Sequence, residues 1–90
     1  MSEGSLRIHL RYFARLREQF GRDGETLDLP PGIETVAGLV AHLAARGEVW
    51  AAELAGDRVF RVAVDQDMVG FGALLHAGAE VAIFPPVTGG

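Results

Sequence analysis

The chain has 90 residues, 49% of them hydrophobic and 22% charged, with no repeat or low-complexity stretch, which fits one compact domain stable by about 5 to 10 kcal/mol. A formal net charge of −4 argues against a nucleic-acid binder, and the absence of cysteine excludes disulfides, iron–sulfur ligation, a thiol nucleophile and any sulfur carried on a side chain. No apolar run reaches the length of a bilayer span, and Met1 to Ser5 lacks the basic start and apolar block of a secretory signal, so the cytoplasm is the default location.

Leu6, Ile8 and Leu10 alternate with Arg7, His9 and Arg11, which predicts a first strand over residues 5–12 with one buried face. Continuing that parity puts Tyr12 in the core and Phe13 on the wet side. Ala14 to Phe20 reads as a short helix closed by Gly21, with Leu16 and Phe20 on one face. Leu27 and Leu29 mark a second strand, stopped by Pro30-Pro31-Gly32. The main helix follows: Thr35 is its N-cap, Val36, Leu39, Val40 and Leu43 form the buried stripe, and Arg46-Gly47 supplies a basic last turn and a glycine stop. Glu48 to Leu54 adds another turn or two of helix, with Trp50 and Leu54 paired four apart.

Phe60, Val62 and Val64 alternate with Arg61 and Ala63 as a third strand, and Asp65-Gln66-Asp67 reads as a hairpin turn into Met68-Val69. The last strand is Glu80 to Phe84, with Val81 and Ile83 toward the core and Ala82 and Phe84 outward. This order suits an α+β domain: a mixed sheet of four to five strands with one main helix packed on one face. Pairing the first and last strands in parallel makes Phe13 and Phe84 neighbours on the exposed face, an apolar patch of the kind that marks a partner surface. Residues 1–4 are expected to form a flexible leader, 5–84 the domain and 85–90 a flexible tail.

Charge is uneven along the chain. Residues 1–22 hold five arginines against two acids, a net +3, while residues 23–90 hold three arginines against ten acids, a net −7. Most of these charges read as solvated faces; the sharper reading is an acidic surface that docks on a basic partner. His9, His42 and His76 have no ligand spacing, Asp65 and Asp67 lack further oxygen ligands, and no nucleophile elbow or phosphate loop is present. Neither a metal site nor catalytic residues in the chain itself are expected.

Chemistry concentrates at the end. Pro85-Pro86 stiffens the exit from the last strand, and Val87-Thr88-Gly89-Gly90 ends in two residues without Cβ atoms. Such a tip fits a narrow channel and presents an unhindered carbonyl. Fully extended, residues 85–90 reach about 20 Å past the strand.

The segment from Gly78 to Gly90, and within it the run Phe84-Pro85-Pro86-Val87-Thr88-Gly89-Gly90, closely resembles the end of the sulfur-carrier subunits of molybdopterin synthase, which are ubiquitin-like β-grasp proteins. Tyr12-Phe13-Ala14-Arg15-Leu16-Arg17-Glu18 resembles that family's first strand entering its first helix, and Val64 to Val69 its internal hairpin, so the resemblance spans about residues 6–90. It implies that an activating enzyme uses ATP to adenylate Gly90, that sulfur displaces AMP to leave a thiocarboxylate, and that the large synthase subunit takes Pro85, Pro86, Val87, Thr88 and Gly89 into its active site. There sulfur passes to cyclic pyranopterin monophosphate. The implied partners are that large subunit, in a heterotetramer of two small and two large chains, a ubiquitin-activating-like adenylyltransferase, and a sulfurtransferase or cysteine desulfurase.

The resemblance also assigns Phe13, Arg17, Met68 and Phe84 to the partner interface. Read from the residues alone, Met68 equally suits a hairpin side chain folded onto the core, and Arg17 a solvated helix position. Two other functions stay open: a sulfur carrier for thiamine, cysteine or tRNA thiolation, and a ubiquitin-like modifier joined to other proteins through Gly90.

Overall fold

The computed structural model describes residues 6–86. The expected leader and the tail residues Val87, Thr88, Gly89 and Gly90 lie outside the described residues. Strand β1 (Leu6–Tyr12) alternates exposed and buried positions, with Ile8, Leu10 and Tyr12 almost wholly buried. Helix α1 (Ala14–Phe20) begins at once, and its first residue carries φ of 53°, a left-handed conformation uncommon outside glycine. Leu16 and Phe20 face inward, and Gly21, at φ 72°, ends the helix by donating its N–H to the Arg17 carbonyl. Strand β2 (Gly24–Leu29) runs back antiparallel to β1, with Gly24 opposite Arg11. A Cβ at Gly24 would lie 2.5 Å from the Leu10 carbonyl oxygen, so only glycine fits at that approach.

Helix α2 (Val36–Ala44) is capped by the Thr35 hydroxyl, which accepts from the Gly38 N–H at 3.1 Å, and buries Val36, Leu39, Val40 and Leu43. Its end differs from expectation. The C-cap is Ala45 in the right-handed region, and Gly47 is extended and starts helix α3 (Glu48–Leu54) by accepting the Ala51 N–H. Arg46 is drawn away from the helix terminus because a carboxylate outcompetes it: the guanidinium meets both oxygens of Glu25, at 2.7 and 3.0 Å, and stacks over Trp50. Tyr12 also donates to Glu25, at 2.7 Å. Burial, with the hydrogen bond to that carboxylate, pushes the Tyr12 phenol well above its ordinary 10.0. For Glu25 itself, burial opposes ionisation, but the bonds from Arg46 and Tyr12 outweigh it and hold the group below its ordinary value.

Strand β3 (Arg61–Val64) and strand β4 (Asp67–Val69) form the hairpin, closed by Asp65 and Gln66, both at positive φ. That pair of dihedrals is the I′ geometry that matches strand twist, achieved here without glycine. The alternation is imperfect just before β3 and within it. Phe60 precedes the strand and packs on Phe71, with centroids 5.6 Å apart, while outward-facing Ala63 is small enough to be covered by its neighbours. Strand β5 (Glu80–Phe84) buries Val81 and Ile83 completely.

The sheet order is β2-β1-β5-β3-β4, with β1 and β5 parallel and the other pairs antiparallel. The last strand is therefore the central one. One sheet face carries the inward side chains of β1, β3 and β5, which join Leu39, Leu43, Leu16 and Leu54 from the helices in a single core. The other sheet face is left outward, and the chain leaves the middle of the sheet at Phe84-Pro85-Pro86.

Candidate functional site: the outward sheet face and the root of the tail

Register assigns the outward side chains to rows across the sheet. Met68 lies opposite Ala63, Ala63 opposite Ala82, and Ala82 opposite Arg11. In the adjoining row Arg61 lies opposite Phe84, and Phe13 is brought alongside by its N–H, which donates to the Ile83 carbonyl at 3.3 Å. Phe13 is 40% exposed and Met68 59%, whereas Phe84 is half-buried. Met68 thus does not fold onto the core. Arg17 is exposed on α1, one turn past Phe13, and its backbone N–H donates to the Phe13 carbonyl. The structure brings Phe13, Phe84 and Met68 onto one face and puts Arg17 beside its margin.

Apart from Arg61, the polar part of this face is self-paired. Arg11 reaches Glu80 at 3.3 Å and lies 5.6 Å over the Phe13 ring, Arg7 meets Asp28 at 2.8 Å, and His9 hydrogen-bonds Thr26 at 3.1 Å. With those charges neutralised in pairs, what is left is an apolar group of Phe13, Phe84 and Met68 with Arg61 beside Phe84.

At the edge of the face, the root of the tail lies over a cleft of about 300 Å³ lined by Arg15, Leu16, Glu53, Arg58, Val59, Phe60, Pro85 and Pro86. Both prolines are half-buried. Glu53 is only 3% exposed and accepts from Arg15 at 3.1 to 3.3 Å, with Arg58 at 3.5 Å. Sequence reading missed this triad. A signal for it existed, since Glu53 sits three residues after Trp50 and beside Leu54, on the flank of the helix stripe that turns inward.

A second missed contact joins His76 to Asp65 at 2.6 Å, and the other Asp65 oxygen accepts the Glu80 N–H. The backbone bond from Glu80, then that from His76, lowers the Asp65 pKa, and the Asp65 contact raises that of His76. Asp65 is thereby committed to tying the hairpin to the start of β5. Among the described residues no group of three or more His, Cys, Asp or Glu side chains is placed to hold a metal ion. No helix among the described residues is long and apolar enough to cross a membrane.

A mixed sheet whose first and last strands run parallel at its centre, with the principal helix α2 packed on one face and the chain leaving from the central strand, defines a ubiquitin-like β-grasp protein. More narrowly, the chain belongs to the ThiS family, whose model matches residues 10–90. It is 40% identical over 83 residues to the molybdopterin synthase sulfur carrier subunit of Escherichia coli (strain K12), covering 92% of this chain and 99% of that one. Among solved structures it is similar to the Haloferax volcanii HVO 2177 protein, at TM-score 0.82 and 26% identity over 100% of this chain and 92% of that one. It is also similar to SAMP1 from Haloferax volcanii, at TM-score 0.76 and 27% identity over 97% and 100%.

Proposed function

We propose that this chain is the sulfur-carrying small subunit of a molybdopterin synthase, with Gly90 as the site of cargo. The observation that carries the reading is the near full-length 40% identity to the Escherichia coli sulfur carrier subunit, in a chain whose end continues from the central strand of the sheet. A carboxylate is a poor electrophile at neutral pH. In this reading an adenylyltransferase makes the Gly90 carboxylate attack the α-phosphorus of ATP, releasing pyrophosphate. The terminal sulfur of a persulfide on a sulfurtransferase or cysteine desulfurase then displaces AMP to give an acyl disulfide. A thiol attacking the donor's sulfur releases the thiocarboxylate and leaves the donor in a disulfide.

In this reading the labour is divided between the two subunits. Phe13, Met68 and Phe84, with Arg17 beside them, form the surface that meets the large subunit, and residues Pro85 to Gly90 carry sulfur into that subunit's active site. Catalytic groups belong to the partner. The test is to thiocarboxylate the purified protein with an adenylyltransferase, ATP and a sulfur donor, add the large subunit and cyclic pyranopterin monophosphate, and assay the dithiolene product. Product is expected from the intact chain and none from a chain lacking Gly90 or extended by one residue. Equal product from an untrimmed, extended chain overturns the reading.

A second reading is favoured by the likeness to SAMP1, a small archaeal modifier protein: conjugation through Gly90 to lysines of other proteins. Intact mass of the protein isolated from cells separates the two. Replacement of one oxygen by sulfur supports the carrier, and adducts on other proteins support the modifier.

A further inference from the structure

Glu53 is the one charged residue among the described residues that is buried, and neither the sulfur chemistry nor the outward apolar face uses it. Taking a carboxylate out of water is costly even when it is paired, and well-packed apolar side chains of similar volume often serve stability as well or better. Its retention asks what the charge specifies. The three charged groups come from three segments: Arg15 from α1, Glu53 from α3, and Arg58 from the link between α3 and β3. Arg15 meets the carboxylate side-on through Nε and Nη2, a planar contact that fixes the orientation of the guanidinium as well as its position. With Glu53 nearly closed to solvent and the arginine side chains 44% and 53% exposed, the carboxylate is the anchor and the guanidiniums are the parts that face the cleft.

The remaining wall of that cleft is Pro85-Pro86. Proline has no N–H, so neither residue can be tied to the body by a donated backbone hydrogen bond. Once the ladder of β5 ends at Phe84, the orientation of the next two residues rests on their restricted φ and on what they pack against. Around the cleft they line stand the apolar side chains of Leu16, Val59 and Phe60 and the arginines that Glu53 holds.

We infer that Glu53 is a positioning residue for the C-terminal segment: by holding Arg15 and Arg58 as walls of the cleft beneath Pro85 and Pro86, it sets the direction in which the chain leaves Pro86. The consequence for chemistry rests on the function proposed above. A root aimed correctly raises the fraction of encounters in which the Gly90 carboxylate meets the α-phosphate of ATP, without altering the surface by which the body docks.

The experiment compares the full-length protein with its Glu53→Gln and Glu53→Met variants in two measurements. In isotope-edited NMR, both variants are expected to keep a folded amide spectrum and to lose the nuclear Overhauser contacts from the proline rings to Leu16 and Phe60. In pyrophosphate release by an adenylyltransferase with ATP, kcat should fall about 10-fold while KM for the protein stays within about 2-fold, the signature of misplacement and not of weakened docking. Retention of the proline contacts and of kcat in both variants overturns the proposal. Should Glu53 replacements unfold the chain, Arg58→Met, which removes an exposed wall, decides by the same two readouts. A wild-type chain that releases no pyrophosphate with any adenylyltransferase would sink the sulfur-carrier reading alone, and the proline contacts would still settle the role of Glu53.

Discussion

The backbone N–H of Phe13 donates to the carbonyl of Ile83 at 3.3 Å, extending the parallel pairing of β1 and β5 by one residue beyond Tyr12 and Ile83. This single bond links the first strand, the first helix and the exit of the chain, because Phe13 is also the residue that precedes α1. It places an outward aromatic next to Phe84, immediately before the tail. In the function proposed above, the docking surface and the root of the sulfur-bearing segment share this joint.

Replacing Phe84 or Phe13 with aspartate is expected to weaken binding to the large subunit by about 30-fold or more, the loss typical of a central aromatic at an interface. Both side chains lie off the core, so thermal unfolding should change little by comparison. Titration calorimetry against the large subunit, beside thermal melts, checks this. A variant that unfolds would show the side chain to be part of the core, and one that binds normally would remove it from the interface.

Ala14 occupies the left-handed region at φ 53°, at the turn where β1 becomes α1. An alanine there already bears a steric penalty of about 1 to 2 kcal/mol, and a β-branched side chain bears more. Ala14→Gly should leave stability within about 1 kcal/mol, because relief of the strain is offset by a more flexible unfolded chain. Ala14→Val should destabilise by at least about 1 kcal/mol. Denaturant titration distinguishes the two, and equal stability for valine would show that the turn adapts.

The His76–Asp65 pair makes stability depend on pH with a definite sign. A raised His76 pKa means its contribution is complete below the ordinary histidine value of 6.5 and is lost as pH rises through the folded-state value. A lowered Asp65 pKa means its contribution is complete above the ordinary 3.8 and is lost as pH falls through the folded-state value. Both are present between those limits. The melting temperature of the wild type should exceed that of His76→Ala most within that window, and the gap should narrow toward alkaline pH. A gap that is constant from pH 5 to pH 9 would show that the contact is not ionic.

What the chain determines by itself is local and periodic. Strand parity places Ile8, Leu10 and Tyr12 inside and Phe13 outside, the Thr35 cap and the Val36, Leu39, Val40 and Leu43 stripe define α2, and the Phe84 to Gly90 run carries the resemblance on which the proposed chemistry rests. These signals survive because each depends on neighbours a few residues apart. Gly47 misled for the opposite reason: a glycine after a helix usually stops it, but here the long-range attraction of Arg46 to Glu25 and the start of α3 decide the turn.

The tertiary structure alone decided which distant charges meet. Arg15 and Glu53 are 38 residues apart, and Asp65 and His76 are 11 apart, so no periodicity announces either pair. Arg15 meets Glu53 because α1 packs against both β5 and α3, and Asp65 meets His76 because β3 pairs antiparallel with β5. A sequence records which side chains are charged. Only the folded sheet determines which of them meet.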